Sequence, residues 1–401
     1  MITVLAIITV LSLLVPVYVY IGYPLLLVVL DKLLAGKEVD RSEITPYVTL
    51  VVSCYNEADI IEQKINNCLR LDYPVDKIDF FFVSDGSDDD TDEIIERHQN
   101  DNLKLIRQEG RLGKTMGLNL ALSEASGEIV VFSDANAMYK DDAIRMLVRN
   151  FNDESIGYVV GAAIYRDETE TSAGASEDLY WKYEMFIKKI ESKLHSVVGG
   201  DGAIYAIRRE LYEPLEQVDI NDFVNPLQII AKGYRGIFDA EAVCYEQTAG
   251  DFDKEGNRKQ RIVNRSFDGL MRNREVLNPF KFGFYSVELI SHKLLRWLIP
   301  FFIIIAAGGI FALALLKVEI FQWSLLLGIS FVWSILLGKV LKAWSGCPSL
   351  LLIPYYFYLV NFSSLKGILQ SLQGTVQVTW STPRDVAGAG NGTGIVSWLG
   401  Y

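Results

Sequence analysis

The sequence predicts an α/β domain with a mostly parallel sheet, flanked by transmembrane helices. Three observations lead there. Residues 1 to 30 carry no charge until Asp31. Two further uncharged runs, 297–316 and 320–338, are each long enough to cross a bilayer. Between these ends, strand-like apolar runs alternate with helical stretches, as in a sheet covered on both faces.

The opening run MITVLAIITVLSLLVPVYVYIGYPLLLVVL lacks the basic n-region and small-residue cleavage site of a secretory signal. It is expected to be a retained anchor, residues 1–31. Lys32, Lys37 and Arg41 follow it, and Lys281, His292, Lys293 and Arg296 precede the second apolar run. The positive-inside tendency then puts the central domain in the cytoplasm of a multi-pass protein of the cell membrane. The expected divisions are a domain at 45–280, an interfacial amphipathic helix at 281–296, membrane helices at 297–366 and a tail at 367–401. The glycine-rich AGAGNGTG within that tail reads as a mobile segment.

In the middle, YVTLVVSCY, IDFFFVSDG, LKLIR, EIVVFSDA and IGYVVGAAIY are the expected strands. The helical stretch SEDLYWKYEMFIKKIESKL aligns Leu179, Tyr183, Phe186, Ile187, Ile190 and Leu194 on one face. That face reads as core or membrane-surface packing.

A formal charge of −12 with no basic stripe argues against nucleic acid as a partner. Cys54, Cys68, Cys244 and Cys347 are widely spaced, and the three histidines are scattered, so neither a disulfide frame nor a zinc site is indicated. EGRLGKTMGLN (109–119) has the look of a nucleoside-triphosphate P-loop. That loop needs a glycine five residues before Gly113, where this chain has Gln108. Gly110 is two residues too close, so the P-loop reading fails on geometry.

Ligands of such sheets dock at the carboxyl ends of the strands. Tyr55-Asn56-Glu57, Ser84-Asp85-Gly86 and Asp134-Ala135-Asn136 lie there. Carboxylates at several strand ends, with few histidines, suit a hard divalent cation and a phosphorylated ligand. Asp88 to Asp92 read instead as a solvated turn and helix start.

The succession VVSCYNEADII, VSDGSDDDT, GRLGKTMGLN, FSDANAMY, GGDGAIYAIRR and NDFVNPLQIIAKGYRGIFDAEAVCYE resembles the membrane-bound family 2 glycosyltransferases. That group has a GT-A fold and includes hyaluronan, chitin and cellulose synthases and bacterial polysaccharide enzymes. The resemblance runs over roughly residues 45 to 300. It implies transfer of a sugar, with inversion, from a nucleotide-diphospho-sugar (a UDP-sugar foremost) to a glycan or lipid-linked acceptor beside the bilayer. It names no export or oligomeric partner.

By the same resemblance Tyr55, Glu57 and Asp85 hold the nucleotide, and Lys114 approaches the nucleotide or its phosphates. Asp134 and Asn136 stand where the family has its DxD motif, with Asp134 binding Mg²⁺ or Mn²⁺ and Asn136 in place of the second acid. Asp201 lies near the donor sugar and acceptor. Asp222 matches the catalytic base, and Asn221 replaces the acid before it. RKQRIVNRSFDGL stands where processive members have QxxRW. Gln260, Arg261 and Arg265 are present but the Trp is absent. The two arginines share a helix face and are expected to clamp a diphosphate. Without the Trp, chain growth competes with transfer of a single sugar to a lipid carrier. Asn136, Asn221 and the absent Trp also allow a rival from another class, a catalytically degenerate membrane scaffold or transport protein.

QVTWSTPR is similar to a Trp-x-x-x-Arg segment that these enzymes keep beside the donor pocket, which makes Trp380 and Arg384 site candidates. Three crossings after the domain would leave them outside. Pro348, Pro354, Asn361, Ser363, Ser364 and Lys366 make 348–365 the poorest spanning segment. It is expected to be re-entrant or interfacial, which returns the tail to the cytoplasm.

Overall fold

The computed structural model describes residues 1–166, 172–247, 252–342, 344, 347, 349–378 and 395–397. Its central domain is a sheet of eight strands: β1 (Val48–Cys54), β2 (Ile78–Ser84), β3 (Leu103–Arg107), β4 (Ile129–Asp134), β5 (Met138–Tyr139), β6 (Ile156–Arg166), β7 (Tyr205–Arg208) and β8 (Arg235–Gln247). Their order is β3-β2-β1-β4-β7-β6-β8-β5. The first four neighbours are parallel, as are β6 and β8, while β7 enters antiparallel between β4 and β6.

β1 and β2 are buried at every position, because helices cover both faces of the sheet. Alternate side chains feed two cores. Leu50, Val52, Phe80 and Phe82 enter one, and Val51, Phe81 and Val83 the other. β3, at the sheet edge, mixes buried and exposed positions instead. The five expected strands are all present. β5, β7 and β8 extend the sheet beyond them, and the antiparallel β5 and β7 make it mixed.

Among the described residues three helices are long and apolar enough to cross a membrane: Ile2–Leu33, Phe284–Leu315 and Glu319–Leu341. Residues 281–296 differ from the expected separate interfacial helix. After Gly283, at φ 58°, the chain runs as one helix from Phe284 into the apolar run. His292, Lys293 and Arg296 on it turn toward helix Ser172–Leu194. His292 bonds Glu191 at 2.7 Å and Glu184 at 3.0 Å, Arg296 pairs with Glu184, and Tyr23 of the first membrane helix donates to Glu191 at 2.6 Å. Ile187 and Ile190 pack with Tyr23 and Leu27. This polar knot fixes the domain to two membrane helices.

The fourth apolar helix, Ser349–Leu372, lies along helix Phe252–Arg272 of the domain. Ser363 Oγ donates to the Gly256 carbonyl at 2.8 Å, and Asn264 Nδ2 to the Gly367 carbonyl at 3.1 Å. The helix leads into β9 (Thr375–Gln377), which pairs with β10 (Ile395–Ser397). The Val378 carbonyl comes so near Gly113 that a Cβ there would lie 3.0 Å away. The chain after this helix thus touches the glycine loop of the domain. Trp380, Arg384 and the AGAGNGTG stretch lie outside the described residues.

Candidate active site

The site gathers where the carboxyl ends of β1, β2 and β4 meet the loop before β7 and the start of helix Asn221–Ala231. Asp85 leaves β2 buried, with Oδ1 accepting from Gln108 Nε2 at 2.7 Å, Leu112 N at 2.9 Å and Gly113 N at 2.8 Å. The glutamine that rules out a P-loop thus ties the glycine loop to the strand end. Burial pushes the Asp85 carboxyl up, against the two backbone N–H groups and Arg111. Oδ2 is buried with no hydrogen-bond partner among the described residues, so Asp85 keeps an unused acceptor beside the cleft.

On the same side, the Arg111 guanidinium stacks 3.8 Å from the centroid of the Tyr55 ring. Glu57, half-buried, precedes helix Ala58–Leu69, and its N–H bonds Thr91 Oγ1 at 2.8 Å. Asp88 to Asp92 include local structural roles. Asp88 bonds Asn56 at 2.6 Å, Asp89 caps Thr91 at 3.0 Å, and Asp92 pairs with Arg107.

Lys114 begins helix Lys114–Glu124, and its ammonium reaches across to Asp134 Oδ1 at the end of β4. Asp222 sits in the first turn of helix Asn221–Ala231, with its carbonyl bonded by Gly200 N–H. Gly202 marks the convergence. A Cβ built on it would lie 3.4 Å from Asp222 Oδ2, 3.5 Å from Lys114 Nζ and 3.6 Å from Asp134 Oδ2. Two carboxylates and an ammonium therefore surround a small cradle kept open by the missing side chain.

Asp201 and Glu246, both buried, complete an acidic wall. Asp201 Oδ2 lies 3.6 Å from Lys188 Nζ. Burial raises the Asp222 carboxyl above the usual range. Asp201 and Asp134 add to the rise, and Lys114 and Lys188 oppose it. Glu246 is pushed up to about 7 by burial and then by the charges of Asp134 and Asp201.

The two arginines of RKQRIVNR part company. Arg265 donates to the carbonyls of Val218 (3.1 Å), Gln217 (3.3 Å) and Asp219, and to Thr115 Oγ1 at 2.9 Å. It holds the loop leading to Asp222, so its donors are occupied by protein rather than turned to a diphosphate. Arg261 makes no hydrogen bond or ion pair among the described residues. Burial and Arg258 push it down to about 10, against the charges of Asp134 and Asp222. It stays charged at neutral pH and is the cation of the pair left for a ligand. Gln260 bonds Gln370 at 3.0 Å, on the fourth apolar helix.

Asn136 is half-buried with no side-chain hydrogen bond among the described residues, so its amide oxygen is available beside Asp134. Asn221 points elsewhere, donating to Tyr205 OH at 2.7 Å. Among the described residues no three His, Cys, Asp or Glu side chains are grouped to hold a metal by themselves. The donor set at Asp134 nevertheless suits a hard cation that completes its shell from a phosphorylated ligand. Sequence reasoning passed over Glu246, Lys188, Gln108 and Gly202, since each acts only through a neighbour distant along the chain.

This fold is of the GT-A class. Residues 49–215 match the model of glycosyl transferase family 2. The poly-beta-1,6-N-acetyl-D-glucosamine synthase of Staphylococcus aureus (strain MSSA476) is 27% identical over 205 residues, 49% of this chain and 49% of that protein. That of Staphylococcus epidermidis is 32% identical over 124 residues, 30% of each. The chain spans about half the length of the curated relatives it matches first. Among solved structures, mannosyltransferase PcManGT from Pyrobaculum calidifontis, in complex with GDP-Man and Mn²⁺, is 25% identical with a TM-score of 0.66. The match covers 91% of this chain and 99% of that one.

Proposed function

We propose that this protein is an inverting glycosyltransferase at the cytoplasmic face of a membrane. It moves a sugar from a nucleotide-diphospho-sugar to a glycan or lipid-linked acceptor. The observation that carries this reading is the cradle at Gly202, where Asp222, Asp134 and Lys114 converge within 3.4–3.6 Å of one point. Asp222 takes the proton from the acceptor hydroxyl as that oxygen attacks the anomeric carbon, and its raised affinity for protons suits a base. The glycosidic C–O bond to the diphosphate breaks as the new bond forms on the opposite face. Lys114 and Arg261 meet the negative charge growing on the leaving diphosphate. Asp134 and Asn136 would hold a divalent cation, Mg²⁺ or Mn²⁺, which supplies Lewis-acid neutralisation of that diphosphate. Asp85, Tyr55 and Glu57 take the nucleotide, with Asp85 Oδ2 as the acceptor for a base or ribose donor. Asp201 borders the transferred sugar.

Three candidate crossing helices and the contact of Val378 with Gly113 favour the domain and the start of the tail on one side of the membrane, and the lysines and arginines flanking the apolar runs favour the cytoplasmic side. Incubating membranes with UDP-, GDP- and dTDP-sugars plus Mn²⁺ tests the reading. N-acetylglucosamine and mannose donors head the panel because the relatives' names carry them. Release of nucleoside diphosphate from one donor supports it. Silence across the panel, with a folded protein, favours the scaffold.

A further inference from the structure

Helix Ser172–Leu194 stands between the membrane helices and the cleft. On its membrane side the buried Glu184 and Glu191 take the bonds of Tyr23, His292 and Arg296, and Lys293 Nζ lies 3.6 Å from Glu184. Glu288, one turn before His292, is buried on the same membrane helix. Tyr18 of the first membrane helix joins Ser291 at 2.8 Å. Both membrane helices widen into a π turn at this joint, over Tyr18–Gly22 and Ile290–Leu294, and such turns gather at functional positions.

Between the two glutamates, Lys188 reaches the cleft instead. It is buried, with Nζ 3.6 Å from Asp201 Oδ2. Asp201 Oδ1 accepts from the Ala203 N–H of its own loop at 3.3 Å, so among the described residues Lys188 is what ties this side chain to another element. Asp134, Asp222 and Glu246 line the same cleft; Lys114 answers Asp134, and Lys188 answers Asp201. The helix also leads into the cradle. His195 to Gly200 run from its last turn to Asp201 and Gly202. Ser192 Oγ accepts from Phe238 N–H at 2.8 Å and Val197 N–H donates to the Gly236 carbonyl at 3.0 Å, lacing the helix end to β8, and Gly200 N–H bonds the Asp222 carbonyl.

A buried ion pair is a weak source of stability, since apolar side chains of similar volume often do as well. We infer that Lys188 is a positioning residue that ties Asp201 to the membrane joint, so that transfer to the acceptor depends on how the domain seats on its membrane helices. Helix Ser172–Leu194 is the arm: the joint sets one face of it, and Lys188 carries that setting to Asp201 on the other. A displacement of about 1 Å near the reacting groups costs up to about a hundredfold in rate. The donor side, built from the ends of β1, β2 and β4, stays in place. This rests on the glycosyltransferase reading and on the place it gives Asp201.

The test uses membranes holding the full-length protein, the sugar-labelled donor found in the panel above, and calorimetry of donor binding in detergent. Lys188→Met is expected to lower entry of label into the lipid or glycan fraction at least about tenfold, with donor affinity within about threefold of native. Tyr23→Phe, which takes one hydroxyl from Glu191 in the joint, is expected to lower label entry by about threefold, again with donor affinity kept. In the double variant the Tyr23 change should cost nothing beyond Lys188→Met, because both act along one path. Losses that multiply in the double variant overturn the inference. So does full transfer by a folded Lys188→Met, or a donor affinity that falls in step with its transfer. Full transfer by Tyr23→Phe overturns it whether or not the Lys188 variant folds. A folded native protein that uses no donor in the panel overturns the glycosyltransferase reading itself, a result distinct from these.

Discussion

Replacing Asp222 by asparagine removes the proposed base while keeping its shape. The side chain stands 3.4 Å from the Cβ position of Gly202, and its backbone carbonyl carries the Gly200 bond, so the local fold does not depend on the carboxylate. Loss of a general base costs on the order of 10²–10⁴ in rate. That corresponds to about 3–5 kcal/mol of transition-state stabilisation. The base acts on the acceptor proton and touches the donor little, so donor affinity should stay within about threefold of native. Calorimetric titration with nucleotide-sugar and a coupled assay of nucleoside diphosphate release measure the two quantities separately. The acid limb of the native rate profile should also lie above the ordinary carboxyl range, since burial, Asp201 and Asp134 raise Asp222. Asp222→Asn should lose that limb. A variant that loses donor binding together with activity makes Asp222 a donor ligand and refutes the role.

Asp134→Ala should abolish metal-stimulated donor binding and activity together; a variant keeping its Mn²⁺ requirement and affinity places the metal elsewhere. Gly202→Ala introduces a Cβ at ordinary contact distances, 3.4 to 3.6 Å, so stability should change by less than about 1 kcal/mol while turnover falls at least about tenfold as the cradle fills. Arg261→Ala should raise donor KM about tenfold with an unchanged melting temperature. Arg265→Ala, which strands the Val218 and Gln217 carbonyls while Thr115 Oγ1 still donates to the Asp219 carbonyl, should lower stability by about 1–3 kcal/mol. Glu246, raised to about 7 in the fold, favours the native state fully below its unfolded value near 4.5. That contribution, at most about 3 kcal/mol, is lost as pH rises through 7. Melting curves from pH 4 to 8 should therefore fall more steeply for native protein than for Glu246→Gln; parallel curves contradict the shift.

The strand ends were legible because their chemistry is local. VVSCY, FFFVSDG and VVFSDA each show an apolar run stopping at polar residues, and the sheet places those stops side by side. β7 was not legible as a strand. Its four residues follow a glycine-rich loop, and pairing with β4 and β6 rather than propensity makes YAIR a strand. The arginines of RKQRIVNR looked equivalent on one helix face. Only the fold shows that Arg265 meets the 217–219 carbonyls while Arg261 faces the carboxylates. Lys64 left a trace: it stands among Ile61, Ile65 and Cys68 on the buried side of its helix, where lysine is out of place. Its partners, the Ser133 hydroxyl and the Ala137 carbonyl, lie about seventy residues further along the chain, so the sequence offers the anomaly without the reason.

The account's central claim is that a sugar leaves a nucleotide diphosphate and reaches an acceptor at the cradle around Gly202. Donor labelled separately in the sugar and in the nucleotide, given to membranes containing native protein or Asp222→Asn, tests it most directly. The account predicts nucleoside diphosphate release in step with sugar label entering a lipid or glycan fraction, and loss of both by at least about a hundredfold in the variant. Equal release by native and variant protein, with the sugar label left in solution, would contradict it.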